Sequence, residues 1–242
     1  MPVSKTDFIR GLQCEKMLWL DAHRPELKII PPEVQAKLDA GNDFGDQAMG
    51  IFGPFTETTT LKADGRLDFS AMIEKTKTLL ENGENVICEG SFSWYGNFCA
   101  ADILKKETDG YALYEVKNSA LPRREFIIDL GFQRLILKKC GVKITSSNLI
   151  LPELENSEDG GQVCVERLQK DGIRYKIFDV TTQAKRFEYM AQDRIFELGK
   201  LKKKDTEEPR VSVGEQCDSP YRCWYYEFCH GENCQKINAE DE

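Results

Sequence analysis

The order of segments in the middle of the chain limits the possible folds more than any other feature. β-Strand character occurs over 84–94, 97–106 and 111–118, a helical pattern follows over 125–141, and strands recur over 142–151 and 173–180. The order is a meander of strands and then a strand–helix–strand unit. It predicts an α/β fold in which one mixed sheet is flanked by helices.

Helical patterns lie on both sides of this central region. Ser4 and Asp7 have the spacing of a capping box, which predicts a helix over about 5–20. Further helices are predicted over about 32–52, 69–82 and 182–204. We expect a single domain over 1–242 with three parts: an N-terminal helical part, 1–83, a core, 84–180, and a C-terminal helix and cysteine segment, 181–242.

The composition is that of a globular chain. Hydrophobic residues make up 40% of the 242 residues, which is enough for one sizeable core or two small domains. No apolar run reaches the roughly 18 residues of a membrane span, and the N-terminus lacks the apolar segment of a signal peptide. We therefore expect a cytoplasmic location and no membrane partner.

The net charge of −8 argues against a protein that coats nucleic acid through bulk charge. Two local basic segments remain, Lys200 with Lys202–Lys204 and Arg123-Arg124. Each has two interpretations: a local contact with nucleic acid, or an ordinary solvated surface.

A hairpin turn in the meander aligns two acidic residues. Tyr95-Gly96-Asn97 is typical of a tight turn, but the two loop residues can be either Gly96-Asn97 or Tyr95-Gly96. The first choice places Glu89 diagonally from Asp102, and the second places the two acids directly opposite each other. Both choices keep them on one face of the sheet.

The next connection extends this face. If Lys105–Gly110 is a six-residue loop, Asp102 lies opposite Leu113, on the face that also carries Glu115 and Lys117. This follows because side chains two residues apart share a face of a strand. A β-bulge in any of these strands would break the alignment.

Three carboxylates and a lysine on one face have two interpretations. Clustered carboxylates repel one another, so they usually hold a cation, and their hard oxygens suit Mg²⁺ or Mn²⁺. A lysine beside such a metal can orient or deprotonate a water, which equips a site for phosphodiester hydrolysis. The alternative is a charged sheet surface that faces solvent.

The helix after the meander adds a polar residue to an apolar stripe. Phe126, Leu130, Gln133 and Leu137 lie on one face of the helix predicted over 125–141. A buried glutamine needs hydrogen-bond partners, and the acidic face would supply them. A glutamine at the edge of a packed helix is the alternative.

Asp102-Ile-Leu, Glu115-Val-Lys117 and the helical Gln133 together resemble the PD-(D/E)XK nuclease superfamily, specifically its RecB-like branch. The resemblance implies that Asp102, Glu115 and the main-chain carbonyl of Val116 bind the divalent metal. It implies that Lys117 assists the water and that Gln133 is the glutamine of the QxxxY motif.

The chain departs from the RecB-like pattern at two places. Leu137 stands where QxxxY has its tyrosine, and residues 41–48 lack the upstream histidine of many members. Glu89 is then an additional acidic residue near the site.

Cysteines are unevenly distributed along the chain. Cys88, Cys99, Cys140 and Cys164 lie in apolar segments and are predicted to be small core residues. Four more crowd into residues 217–234. Because we expect reduced thiols in the cytoplasm, and nine is an odd number, metal binding is favoured over a disulfide framework.

The resemblance extends to these cysteines. CRISPR-associated RecB-like exonucleases and AddB-type nuclease domains carry an iron–sulfur cluster held by one cysteine before the core and three after it. The corresponding residues here are Cys14 and the trio Cys217, Cys223 and Cys229, although their C-x5-C-x5-C spacing differs from the C-x2-C-x5-C of better-known members.

Cysteine-only ligation suits a [4Fe–4S] cluster, which the resemblance favours, or tetrahedral Zn²⁺. Cys234 or His230 can replace one ligand, and free thiols in a flexible tail are the remaining interpretation. Either metal would relieve the repulsion among thiolates gathered from the two ends of the chain.

These features predict a metal-dependent DNA nuclease with an iron–sulfur cluster, acting on single-stranded DNA or DNA ends. Its protein partners would belong to a repair, recombination or CRISPR-adaptation complex. One alternative is a non-catalytic iron–sulfur module that binds DNA ends or a protein. Another is a redox or regulatory iron–sulfur protein in which the acidic face is incidental.

Overall fold

The computed structural model describes residues 1–154 and 163–231. Its helices are α1 Lys5–Gln13, α2 Glu15–His23, α3 Pro32–Ala48, α4 Phe69–Glu81, α5 Arg124–Lys139, α6 Thr181–Leu201 and α7 Tyr226–His230. Its strands are β1 Thr56–Glu57, β2 Val86–Trp94, β3 Asn97–Glu107, β4 Gly110–Val116, β5 Ile144–Pro152, β6 Cys164–Lys170 and β7 Ile173–Asp179. Short 3₁₀ helices occur at Pro25–Leu27 and Glu215–Cys217.

The chain divides into two compact units. Among the described residues, 1–39 and 193–231 form the first, and 40–154 and 163–192 form the second, which contains all seven strands given above. None of the helices in the described ranges has the length and apolar composition needed to cross a lipid bilayer.

The second unit is built around a seven-stranded mixed sheet of order β1-β2-β3-β4-β5-β7-β6. β1 pairs in parallel with β2, and β4 with β5, whereas the other neighbours are antiparallel. α5 joins β4 to β5, because parallel neighbours cannot be joined by a tight turn. The predicted α/β class, with a mixed sheet flanked by helices, is confirmed.

The two edge strands, β1 and β6, are not predicted from the sequence. β1 has only two residues, and β6 is mostly polar, so neither shows the apolar alternation typical of a half-buried strand. The apolar core lies between the central strands and α3, with Phe44, Ile103, Tyr114, Ile150 and Tyr175 among its buried members.

The β2–β3 hairpin has the second of the two registers that the sequence allows. Trp94 pairs with Asn97, so Tyr95 and Gly96 form the loop, with φ of 49° and 81°. Positive φ at both loop residues is the geometry that matches the twist of a hairpin. The alternative prediction of a Gly96-Asn97 loop is therefore wrong. With the observed register, Glu89 lies at the position directly opposite Asp102.

The β3–β4 connection is shorter than predicted. Glu107 pairs with Gly110, so the loop has two residues and not six. Leu104 therefore pairs with Leu113, and Asp102 falls opposite Glu115, not Leu113. The strand extends into polar residues that resemble a loop in sequence. Because the register moves by two residues, the acids remain on one face.

In the first unit, the single helix predicted over 5–20 is two helices. The capping box is confirmed: Ser4 Oγ accepts the Asp7 N–H, and Asp7 accepts the Ser4 N–H. However, Cys14 has extended backbone angles, φ −160° and ψ 116°, and separates α1 from α2. This break places the Cys14 thiol at the N-terminus of α2.

Candidate active site and cysteine centre

The β3–β4 ladder stops where the acidic residues begin. Backbone pairing runs from Glu107 and Gly110 to Ile103 and Tyr114. At the next position, Oδ2 of Asp102 accepts the N–H of Val116 at 2.7 Å. The carboxylate thus takes a main-chain donor of the neighbouring strand. This hydrogen bond fixes the Asp102 side chain beside the end of β4.

Glu115 lies at the end of β4 with a fully buried side chain. Its Oε1 is 2.5 Å from Nζ of Lys117, and its Oε2 accepts a hydrogen bond of 2.5 Å from Nε2 of Gln133. Strand and helix therefore meet at this carboxylate. The structure brings Glu115, Lys117 and Gln133 into direct contact, as expected if the polar helix residue faces the acidic strand.

Asp129 is a member of this group that the sequence analysis missed. It is buried in α5, with Oδ2 3.3 Å from Nζ of Lys117 and Oδ1 3.4 Å from Nε2 of Gln133. Residues four apart on a helix share a face. The position of Asp129 four residues before Gln133 is the signal from which it could have been found.

Gln133 has an amide oxygen that accepts no hydrogen bond among the described residues. Its side chain is fully buried, and among the described atoms its Oε1 has no hydrogen-bond partner. A buried carbonyl oxygen in this state loses its hydration without compensation, so it favours a water or a cation beside it. The orphaned oxygen lies in the same group as the buried carboxylates.

The donor set fits a hard divalent cation. Asp102 and Glu115 supply carboxylate oxygens, and the buried carboxylate of Asp129 and the unpaired amide oxygen of Gln133 add to the polarity of the site. Against these negative charges the group contains the ammonium of Lys117. Mg²⁺ and Mn²⁺ prefer such oxygen ligands. As the side chains stand in the described residues, no three His, Cys, Asp or Glu form a ready-made metal group. Glu115 is held by Lys117 and Gln133 instead.

Glu89 occupies an unusual backbone position in β2. Its φ is +56°, a value that non-glycine residues rarely adopt. Its carbonyl oxygen accepts hydrogen bonds from Thr58 Oγ1 and Ser91 Oγ, at 2.5 and 3.1 Å. Such conformations are costly and persist where the surroundings enforce them, often near functional groups. This positive φ occurs at the position opposite Asp102.

A comparison of the sequence with protein-family models gives no match, and a comparison with curated proteins gives none. The resemblance to the RecB-like branch therefore rests on the residues themselves.

The four cysteines of the predicted centre line one cavity in the first unit. Cys14 lies between α1 and α2, Cys217 ends a 3₁₀ helix, Cys223 follows it and Cys229 lies in α7. Cys217 and Cys223 are buried, whereas the other two are half-buried. The fold thus brings thiols from both ends of the sequence to one cavity, although here too no three Cys, His, Asp or Glu side chains among the described residues form a ready-made metal group.

The surroundings of these thiols suit a bound metal centre. Burial, together with the charges of Cys14 and Cys217, raises the pKa of Cys223 to about 11, against the lowering effect of the Tyr225 N–H. Burial also raises the pKa of Cys14, against the lowering effect of the Met17 and Lys16 backbone N–H groups. Thiolates here would repel one another, so a cationic centre would stabilise them.

Contacts around Trp224 hold the cysteine segment against α1 and α2. The Trp224 ring contacts two cations, the Arg10 guanidinium at 3.4 Å from the ring centroid and the Lys28 ammonium at 4.0 Å. The hydroxyl of the buried Tyr225 donates to Asp21 at 2.9 Å. Asp21 also pairs with Arg10 at 2.5 Å. These contacts fix the chain between Cys223 and Cys229.

The remaining cysteines divide between core and surface. Cys88 and Cys99 are buried, as predicted, and Cys164 is half-buried. Cys140 is exposed, so its prediction as a core residue is wrong: it caps the end of α5, where the helix leaves the core. His230 is exposed and stacks on Tyr226, and Cys234 lies outside the described residues.

Proposed function

We propose that this protein is a divalent-metal-dependent DNA nuclease of the PD-(D/E)XK type with a RecB-like arrangement. The observation that carries the proposal is the convergence of Glu115, Lys117 and Gln133, with Asp102 anchored to the neighbouring Val116 amide. Two strands and a helix bring these residues together from separate parts of the sequence. Sequence resemblance and side-chain contacts therefore point to the same residues.

Each residue would have a distinct role in hydrolysis. Asp102, Glu115 and the carbonyl of Val116 would hold Mg²⁺ or Mn²⁺, which binds phosphate oxygens and makes water more acidic. Lys117 would orient the attacking water and stabilise negative charge that develops on the phosphate. Gln133 would fix the orientation of Glu115, since its amide already donates to that carboxylate.

A DNA substrate requires positive charge near an otherwise acidic site. Arg123 and Arg124 are exposed at the start of α5, the helix that also carries Asp129 and Gln133. Arginines at this end of the helix can contact phosphates of a strand that reaches the site. A local contact of this kind is compatible with the net charge of −8.

The four cysteines Cys14, Cys217, Cys223 and Cys229 would hold a [4Fe–4S] cluster. Their common cavity, and the Tyr225 N–H that lies 3.4 Å from Cys223 Sγ, support this assignment. The cluster would have a structural role, because its ligands join the N-terminal helices to the C-terminal segment.

The second candidate is a non-catalytic iron–sulfur module that binds DNA ends or a protein. It would retain the cysteines but has no need of buried carboxylates beside a lysine. These residues are costly to bury without a function, which favours the nuclease.

The test is cleavage of labelled single-stranded DNA by anaerobically purified protein in Mn²⁺. Asp102→Asn and Glu115→Gln should each lose activity by about 10²-fold or more. Glu107→Gln, an exposed acid in the same strand as Asp102, is the matched control and should keep wild-type activity. DNA binding without cleavage by the wild type would favour the non-catalytic module. Wild-type rates in the Asp102→Asn/Glu115→Gln double variant would refute the site.

A further inference from the structure

Lys117 lies between two buried carboxylates. Its Nζ is 2.5 Å from Oε1 of Glu115 and 3.3 Å from Oδ2 of Asp129. The side chains of these two acids are 0% and 8% exposed, whereas that of Lys117 is 27% exposed. The ammonium of Lys117 therefore has a second counter-ion, Asp129, in addition to Glu115. Only Glu115 belongs to the nuclease motif that the chain resembles.

Both oxygens of Glu115 are engaged, one by Lys117 and the other by Gln133. A cation that binds Glu115 therefore shares the carboxylate with both partners, and its charge weakens the contact with the partner that is also cationic. Lys117 is that partner, because its positive charge repels the cation, whereas the amide of Gln133 is neutral. Metal binding and the Lys117–Glu115 ion pair are then in competition.

A displaced ammonium needs another negative partner. Leaving a charge in a largely buried place without compensation is costly, and this cost would be subtracted from the affinity for metal. Asp129 already pairs with Lys117 at 3.3 Å, so a small movement of the lysine away from Glu115 shortens an ion pair that exists before the cation binds. Gln133 lies 3.4 Å from the other oxygen of Asp129 and helps to orient it.

We infer that Asp129 is a positioning residue: it receives Lys117 when a divalent cation takes Glu115. The inference rests on the proposed metal-dependent function and assigns a role that the nuclease motif does not include. Asp129 would thereby keep the ammonium beside the site, where it can act on the attacking water.

The experiment measures Mn²⁺ affinity from the electron paramagnetic resonance signal of free Mn²⁺, without DNA or turnover. Asp129→Asn should weaken binding about ten-fold, equivalent to about 1.4 kcal/mol. Asp129→Glu, which restores the charge, should recover most of the affinity. In a Lys117→Met background, Asp129→Asn should change affinity by less than about three-fold, because the lysine that it would receive is absent.

The outcomes separate the possible roles of Asp129. An equal loss in both backgrounds would mean that Asp129 acts on the cation directly, and it would overturn the inference. Unchanged affinity in a folded Asp129→Asn protein would overturn it as well. Lys117→Met alone should bind Mn²⁺ more tightly, and a fall would refute the competition even if Asp129→Asn does not fold. A wild-type protein that binds no Mn²⁺ would instead refute the proposed metal site, and this inference with it.

Discussion

Replacement of Lys117 by Met should destabilise the metal-free protein. Glu115 is fully buried and has Lys117 at 2.5 Å. Removing one partner of a buried ion pair costs about 3–5 kcal/mol when the other charge is left uncompensated. Gln133 still donates to Glu115 in the variant, and the Lys117 side chain is 27% exposed. We therefore expect a smaller loss, about 2–3 kcal/mol.

This loss can be measured as a change in melting temperature. For a domain of about 150–250 residues, 1 kcal/mol corresponds to about 2–4 °C, so Lys117→Met should lower Tm by roughly 4–12 °C in EDTA. Mn²⁺ should raise the Tm of the variant more than that of the wild type. The reason is that the cation supplies the missing positive charge and meets no competing ammonium. Melting followed by circular dichroism in EDTA and in Mn²⁺ gives both values.

Lys138→Met is the matched control. Lys138 also pairs with a buried acid, Glu188, at 2.7 Å, but its side chain is 64% exposed. Arg134 remains 3.1 Å from Glu188 in the control variant, so that carboxylate keeps a cationic partner. We expect Lys138→Met to change Tm only slightly in EDTA. Mn²⁺ should raise the Tm of this variant by the same amount as that of the wild type. Equal Tm values for Lys117→Met and wild type in EDTA, or equal Mn²⁺ responses in the two variants, would refute the reasoning.

Two further predictions concern the first unit. Cys14→Ser should lose iron and acid-labile sulfide, whereas Cys140→Ser should keep both; full iron content in Cys14→Ser, or zinc in the wild type, would contradict the cluster. Burial alone would raise the pKa of Asp7, but hydrogen bonds from Lys202 and Ser4 outweigh it and lower the pKa. The contribution of Asp7 to stability is thus complete above about pH 4 and is lost as pH falls through the lower pKa of the folded state. The difference in free energy of unfolding between wild type and Asp7→Asn, measured by urea unfolding, should therefore decrease as pH falls from 6 to 3. A difference that stays constant over this range would contradict the prediction.

The alignment of the acidic residues could be predicted because a strand repeats every two residues. The predicted loop between β3 and β4 is longer than the loop in the structure. The resulting error in register is two residues, so it leaves Asp102 and Glu115 on one face. The hairpin at Tyr95 and Gly96 has turn residues that limit the choices to two registers. An error of two residues in loop length changes the opposing residue and keeps the face, whereas an error of one residue would have reversed the face.

Asp129 and the break at Cys14 were harder to predict because they depend on tertiary contacts. An aspartate in a helix is usually solvated, so the spacing of Asp129 from Gln133 indicates a shared helix face but not burial, which depends on the packing of α5 beside Lys117. The apolar pattern around Cys14 continues from α1 into α2, so it conceals the change in direction. In the same way, the sequence places Cys140 in an apolar segment, although the end of α5 leaves it exposed.

The placement of α5 determines whether the candidate site can exist. A Cβ atom at Gly131 would lie 2.5 Å from Cβ of Phe187, so glycine permits a close approach of α5 and α6. Three residues further on, the buried Arg134 pairs with Glu188 at 3.1 Å and donates to Ser147 at 2.8 Å, which ties α5 to both α6 and β5. Asp129 lies two residues before Gly131, and Gln133 lies between Gly131 and Arg134. Because a rigid helix holds Asp129 and Gln133, and Glu115 lies in β4, their distances to Glu115 do not depend on the ordering of a loop, and Lys117 follows β4 directly with its N–H bonded to the carbonyl of Ile150.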